Sequence, residues 1–130
     1  ILYINKRDRI LKYAGANTPL FIIRDNQLEK FRAGRDSIGY TNQSPKLKCK
    51  EHLIPMSESM QLYITTDGYY DQTGDTKGFV MGKKYFTNIL MQHQHKNMEE
   101  QKEALIKEFN HYLHDTDVKD DITVIGLQLS

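Results

Sequence analysis

An apolar run, Gln61-Leu62-Tyr63-Ile64-Thr65-Thr66, leads directly into an acidic turn, Asp67-Gly68-Tyr69-Tyr70-Asp71. A second acidic pair, Asp120-Asp121, opens onto the long β-branched and apolar stretch Ile122–Leu129. This recurrence limits what the chain can fold into more than any other feature. A strand apolar enough to be buried belongs inside a sheet, and a carboxylate at its tip is costly unless something positive sits there. Two such tips, each joined to a buried strand, point to a shared divalent-metal site.

The pattern around them is that of an α+β protein. Ile1–Asn5, Arg9–Ala14, Leu20–Arg24 and Gln27–Phe31 are short β-type runs separated by turn residues. Asp25-Asn26 predicts a tight hairpin turn, because both residues tolerate positive φ. Gly34 and Gly39 bracket a loop, and Lys46–Glu51 alternates lysine with Leu47 and Cys49 as a strand with one wet face would. Those lysines read as an exposed face rather than a phosphate-binding patch.

Helices follow. Lys83–His93 places Tyr85, Ile89 and Leu90 on one side, with Phe86 adjoining. Asn97-Met98-Glu99-Glu100 has capping-box spacing, so Asn97 is expected to start a second helix with Leu105, Ile106, Phe109 and Leu113 as its apolar stripe. His111 and His114 fall near its end, where a cation suits the helix dipole. These two, like His93 and His95, read as structural rather than as metal ligands.

The totals exclude several classes. At 130 residues the chain forms one domain at most. Lysine plus arginine number 18 against 17 aspartates and glutamates, which gives no warrant for nucleic-acid binding. No stretch approaches the roughly 20 apolar residues of a membrane helix. The single cysteine, Cys49, cannot form an internal disulfide and fits a reducing cytoplasm. Ile1-Leu2-Tyr3-Ile4 reads as strand interior without an initiating Met, so the sequence is expected to be a piece of a longer chain.

Hard divalent cations want oxygen ligands, and Mg²⁺ takes only one or two carboxylates while keeping several waters. In two-metal phosphate chemistry the ions sit roughly 3.5–4 Å apart and water supplies the nucleophile. Strand-end aspartates suit that role, and Gly68 after Asp67 permits close approach and an unusual backbone angle.

Tyr13-Ala14-Gly15-Ala16-Asn17-Thr18-Pro19-Leu20, Ser37-Ile38-Gly39, Thr66-Asp67-Gly68 and Asp120-Asp121-Ile122-Thr123, in this order, resemble the C-terminal two-thirds of a PPM-type phosphatase. The sporulation-E (SpoIIE) and bacterial sigma-regulatory branch is the most similar. The resemblance covers residues 1–130 and implies part of a four-layer αββα sandwich whose N-terminal strands and helices lie outside this sequence. It also implies Mn²⁺- or Mg²⁺-dependent hydrolysis of phosphoserine or phosphothreonine on a regulatory protein of the STAS, anti-sigma-antagonist type. Asp67 and Asp120 would be the catalytic metal ligands, with Asp121 supporting them from behind and Thr123 tying down the turn. Gly15 and Asn17 would shape a structural turn. Thr73–Gly82 would be a mobile loop able to touch a protein substrate.

Two departures accompany the resemblance. Ala16 stands where relatives commonly have His, and the family's first metal motif, an Asp-Gly pair, has no counterpart in residues 1–60. The residues present are therefore expected to hold at most one metal weakly, with little turnover. The alternative is a catalytically silent relative that binds a regulatory protein. An unrelated α+β domain would place the two acidic turns far apart. An exposed sheet left by missing elements would favour self-association.

Overall fold

The computed structural model describes residues 1–34, 50–74, 78–114 and 116–130. The first strands are β1 (Leu2–Asn5), β2 (Ile10–Tyr13), β3 (Leu20–Arg24) and β4 (Gln27–Phe31). They are followed by β5 (His52–Pro55) and β6 (Met60–Thr65), then the helices α1 (Gly82–His93) and α2 (Met98–Leu113), and finally β7 (Val124–Leu129). Two antiparallel sheets result, one ordered β1-β2-β5 and the other β4-β3-β6-β7.

β3 shows why the sheets stack as they do. Its first four residues are all buried, and they alternate between two cores. Leu20 and Ile22 join Leu11, Tyr13, Ile54, Met60, Leu62 and Leu129 between the sheets. Phe21 and Ile23 join Tyr63, Phe86, Ile89, Leu90, Leu105 and Phe109 beneath the helices. A strand apolar on both faces needs cover on both. The result is three layers, sheet on sheet on helices, which are three of the four layers of an αββα sandwich.

Local signals set the element ends. Asp25 and Asn26 have φ of 51° and 57°, and the β3–β4 hairpin closes with Arg24 opposite Gln27. Asn97 caps α2 reciprocally with Glu100: Glu100 N–H donates to Asn97 Oδ1 at 2.9 Å, and Asn97 N–H donates to Glu100 Oε2 at 3.1 Å. A buried polar group pins the helices to the sheet. Gln61 Nε2 donates to the Gln94 carbonyl at 2.7 Å and to Gln128 Oε1 at 3.0 Å, while the Tyr63 hydroxyl lies against Gln61 Oε1 and Gln101 Oε1.

Some expectations need correction. Lys50 and Glu51 lie outside any strand, and β5 begins one residue later at His52. Residues 46–49, with Cys49, and the Ser37-Ile38-Gly39 motif lie outside the described residues. β7 starts at Val124 rather than Ile122, because Thr65 opposite Val124 is the last paired position. Ile106 is 50% exposed and leaves the α2 stripe, where Gln101 is buried instead. No helix among the described residues is long and apolar enough to cross a membrane.

Phe86 is fully buried and meets the rings of Phe21, Tyr69 and Tyr70 at 5.6, 5.1 and 6.4 Å between centroids. Phe86→Ala is expected to cost about 3–5 kcal/mol in urea denaturation, through lost transfer energy and the cavity left behind. Burial also pushes the hydroxyls of Tyr63 and Tyr70 up to about 12 and that of Tyr69 upward. The unfolded chain ionises these groups near pH 10 while the folded chain keeps them neutral. Stability is therefore full below pH 10 and falls as the pH rises from 10 towards 12. Tyr70→Phe should make that loss shallower, read as the urea midpoint against pH.

Candidate functional site

The end of β6 is held against the start of β7 by one threonine. Thr66 N–H donates to the Thr123 carbonyl at 3.0 Å, continuing the ladder one step beyond the strands. Its hydroxyl accepts from Thr123 N–H at 3.0 Å and donates to the Asp121 carbonyl at 3.1 Å. Thr66 therefore ties the second acidic turn to the first. Thr123 takes part through its backbone.

The chain then turns sharply. Asp67–Tyr69 is one turn of 3₁₀ helix, and the N–H groups of Tyr70 and Asp71 return to the Asp67 carbonyl at 3.0 and 2.8 Å. Gly68 fits because of space rather than backbone angle, since its φ is not positive. A Cβ there would strike the Asp121 carbonyl oxygen and stand 3.1 Å from the Asp121 carbonyl carbon and 3.4 Å from that of Asp120. The two acidic turns thus touch backbone to backbone. Asp67, Asp120 and Asp121 are all exposed, and Asp120 Oδ1 accepts from Asp121 N–H at 2.7 Å.

Two aromatic residues anchor this turn from beneath. Tyr69 and Tyr70 are buried under Phe86, and the Tyr69 hydroxyl donates to the Leu105 carbonyl of α2 at 2.7 Å. Asp71 and Asp67 reinforce the rise in the Tyr70 pKa that burial begins. The turn thus leaves Asp67 and Asp71 exposed at its ends and buries Tyr69 and Tyr70 between them.

Gln72 is the residue that sequence reasoning missed. It is buried, and its Nε2 donates to the Asp117 carbonyl at 3.0 Å while its Oε1 accepts from Lys119 N–H at 3.1 Å. It thereby fixes the segment leading into Asp120-Asp121. No local pattern marks a lone glutamine for such a task.

Of the other expected residues, Gly15 and Asn17 flank Ala16, which bridges to Gly34, far in sequence from both acidic turns. Asn17 has φ of 57° and its N–H donates to the Gly34 carbonyl at 2.9 Å. A side chain on Gly15 would meet the Tyr13 hydroxyl. The expected loop Thr73–Gly82 is tied down where it is described. Thr73 bridges to Val80, and the Tyr112 hydroxyl of α2 donates to the Phe79 carbonyl at 2.7 Å. An apolar groove of about 630 Å³ runs between α2 and β7, lined by Tyr69, Leu105, Phe109, Ile122 and Val124 among others. Neither Asp67 nor the Asp120-Asp121 pair lines it.

The donor chemistry at the touching turns is that of a hard cation, with exposed carboxylates and neither thiolate nor imidazole. The number of donors is small. Among the described residues no group of three or more His, Cys, Asp or Glu side chains is arranged to hold a metal. The residues fit a share of such a site and do not close it.

A family model, that of Stage II sporulation protein E (SpoIIE), matches residues 1–130. The chain belongs to the SpoIIE family. No curated protein matches it significantly. Among solved structures, it is similar to the SiaA-PP2C domain of Pseudomonas aeruginosa, with 26% identity over 99% of this chain and a TM-score of 0.87. It is also similar to the SpoIIE phosphatase domain of Bacillus subtilis (Mn presoaked), at 15% identity, 99% coverage and TM-score 0.72. RsbX in complex with magnesium follows at 25% identity, 99% coverage and TM-score 0.57. The SpoIIE-family chain spans about half of each, covering 50%, 55% and 54% of their lengths. The fold is that of a partial PP2C-type phosphatase domain.

Gly68→Ala is expected to lower stability by about 1–3 kcal/mol, because backbone on the far side cannot move aside without opening the β6–β7 pair. Thr66→Val should cost about 0.5–1.5 kcal/mol, since the exposed bonds of its hydroxyl to the Thr123 N–H and the Asp121 carbonyl are lost. Thr66→Ser should recover most of that loss. Urea denaturation of the three variants checks all three values.

Proposed function

We propose that this chain, within a domain of its relatives' full length, takes part in metal-dependent dephosphorylation of phosphoserine or phosphothreonine on a regulatory protein. The contact between the two acidic turns, through Thr66 and Gly68, is the observation that supports this most. It brings the backbones of the two turns together, and Asp67, Asp120 and Asp121 all lie exposed on them.

Asp67 and Asp120 would hold Mn²⁺ or Mg²⁺, and Asp121 would support the turn through its carbonyl bond to Thr66. When bound, the metal lowers the pKa of water and neutralises phosphoryl oxygens. The protein's own part is positional. Thr66 and Gln72 hold the two turns, and Tyr69 and Tyr70 fasten the first turn to the core. A STAS-type phosphoprotein is the substrate class that the family resemblance favours.

The remaining donors would come from the part of the relatives' domain that this chain does not span. The outer face of the three-stranded sheet, with Tyr3, Lys12 and Leu53 side by side and exposed, suits cover by such a part. A second copy would pack there at high concentration, giving self-association of the 130-residue chain.

The test is Mn²⁺-dependent hydrolysis of a generic aryl phosphate by a version extended to full domain length. Asp67→Asn in that version should reduce turnover by at least about 10- to 100-fold, the loss seen when even the groups that orient metal ligands are removed. No activity from a well-folded extended version would transfer the proposal to a silent module that binds its regulatory protein.

A further inference from the structure

Lys30 and Lys83 each sit over a ring of one aromatic cluster, and neither forms an ion pair among the described residues. Lys83, in the first turn of α1, holds its Nζ 4.8 Å from the centre of the Tyr70 ring. Tyr70 closes the turn that Asp67 opens, and its carbonyl accepts from Gly82 N–H at 2.6 Å. The Lys83 ammonium is thus fixed one ring away from the Asp67 turn.

Lys30, on β4, lies opposite Phe21 in the β3–β4 pair, and its Nζ is 5.8 Å from the centre of the Phe21 ring. Phe21 and Tyr70 both pack on Phe86, so Lys30 and Lys83 cap the two ends of one aromatic cluster. Arg32 follows two residues along from Lys30 and is also exposed. The Lys30 pKa is lowered by burial first, and then by Lys83 and Arg32, so both of these charges act on Lys30. The ion pairs among the described residues are Lys12–Glu51, Arg24–Glu29 and Lys102–Glu99, and none of the three cations takes part.

Like charges held on rings of one cluster repel one another, and an arriving anion relieves that repulsion. The acidic turn would repel an acidic partner unless positive charge stood next to it. We propose that Lys30, Arg32 and Lys83 form a docking surface for a negatively charged segment flanking the phosphorylated residue of a protein substrate. This rests on the phosphatase reading, and it adds what that reading lacks, a basis for choosing among phosphoproteins. The surface holds acidic side chains of the substrate while the Asp67 turn faces its phosphoryl group.

The test is fluorescence anisotropy with the 130-residue chain and four probes. These are a phosphoserine peptide flanked by glutamates, the same peptide flanked by alanines, the unphosphorylated glutamate peptide, and inorganic phosphate as competitor. The glutamate-flanked phosphopeptide is expected to bind about fivefold or more tighter than the alanine-flanked one at low salt, with the difference shrinking at high salt. Lys30→Glu with Lys83→Glu should remove that difference while melting temperature is kept. Lys30→Gln with Lys83→Gln serves if the reversal unfolds the chain. Lys12→Glu, on the far sheet, should leave it intact.

Equal affinity for the two flanking sequences, persistence of the difference in the double variant, or no binding of any probe would overturn the proposal. So would competition by inorganic phosphate alone at concentrations similar to the peptide, which would mean a plain phosphate site. Failure of the phosphatase reading shows separately, as absent hydrolysis by the extended version with the charge preference still present.

Discussion

Everything at the site depends on a contact between residues 55 positions apart, the hydroxyl of Thr66 on the carbonyl of Asp121. Between them lie both helices. The bond needs β7 paired with β6, and both helices lie within the loop that this pairing closes. Closing so long a loop costs entropy that the local turns cannot supply. The apolar surface buried beneath α1 and α2 supplies it. The acidic turns meet because the core does, and the Thr66 bonds then fix them against each other.

The first turn shows how core and chemistry share one short segment. In Asp67-Gly68-Tyr69-Tyr70-Asp71, the acids project to solvent, the glycine leaves room for the neighbouring backbone, and the two tyrosines are buried. Tyr69 is fixed from α2 through its hydroxyl, and Tyr70 from the start of α1 through its carbonyl. Each helix thereby positions the carboxylates without touching them. The same buried rings carry Lys83 and, through Phe86 and Phe21, Lys30. Charge of both signs is placed around the turn by one aromatic cluster.

Much of this was legible wherever a residue's own chemistry decided the outcome. Asp25-Asn26 had to turn because both accept positive φ, and Asn97 with Glu100 had to cap because both side chains reach. The acidic pairs at strand ends were visible for the same reason. Tertiary choices were not. Nothing local says that Ile106 faces solvent while Gln101 is buried, because that depends on where Tyr63 puts its hydroxyl. Gln72 was invisible since its partners, Asp117 and Lys119, are remote in sequence. Thr123 drew attention by its side chain, whereas Thr66 on the other strand makes the side-chain bonds.

The small donor number at the touching turns has a consequence for how such a site is built. Asp67, Asp120 and Asp121 are exposed, and in water two unit charges about 4 Å apart repel by only about 1 kcal/mol. The sheet and the aromatic cluster hold the turns together against that with ease. Packing and the Thr66 bonds therefore suffice to hold the backbones of the two turns together. What so few exposed carboxylates cannot do is outbid water for a strongly hydrated cation. Further donors are needed for affinity rather than for shape. Under the proposed function, this chain contributes the contact between the turns, and the donors beyond it would set how strongly a metal is held.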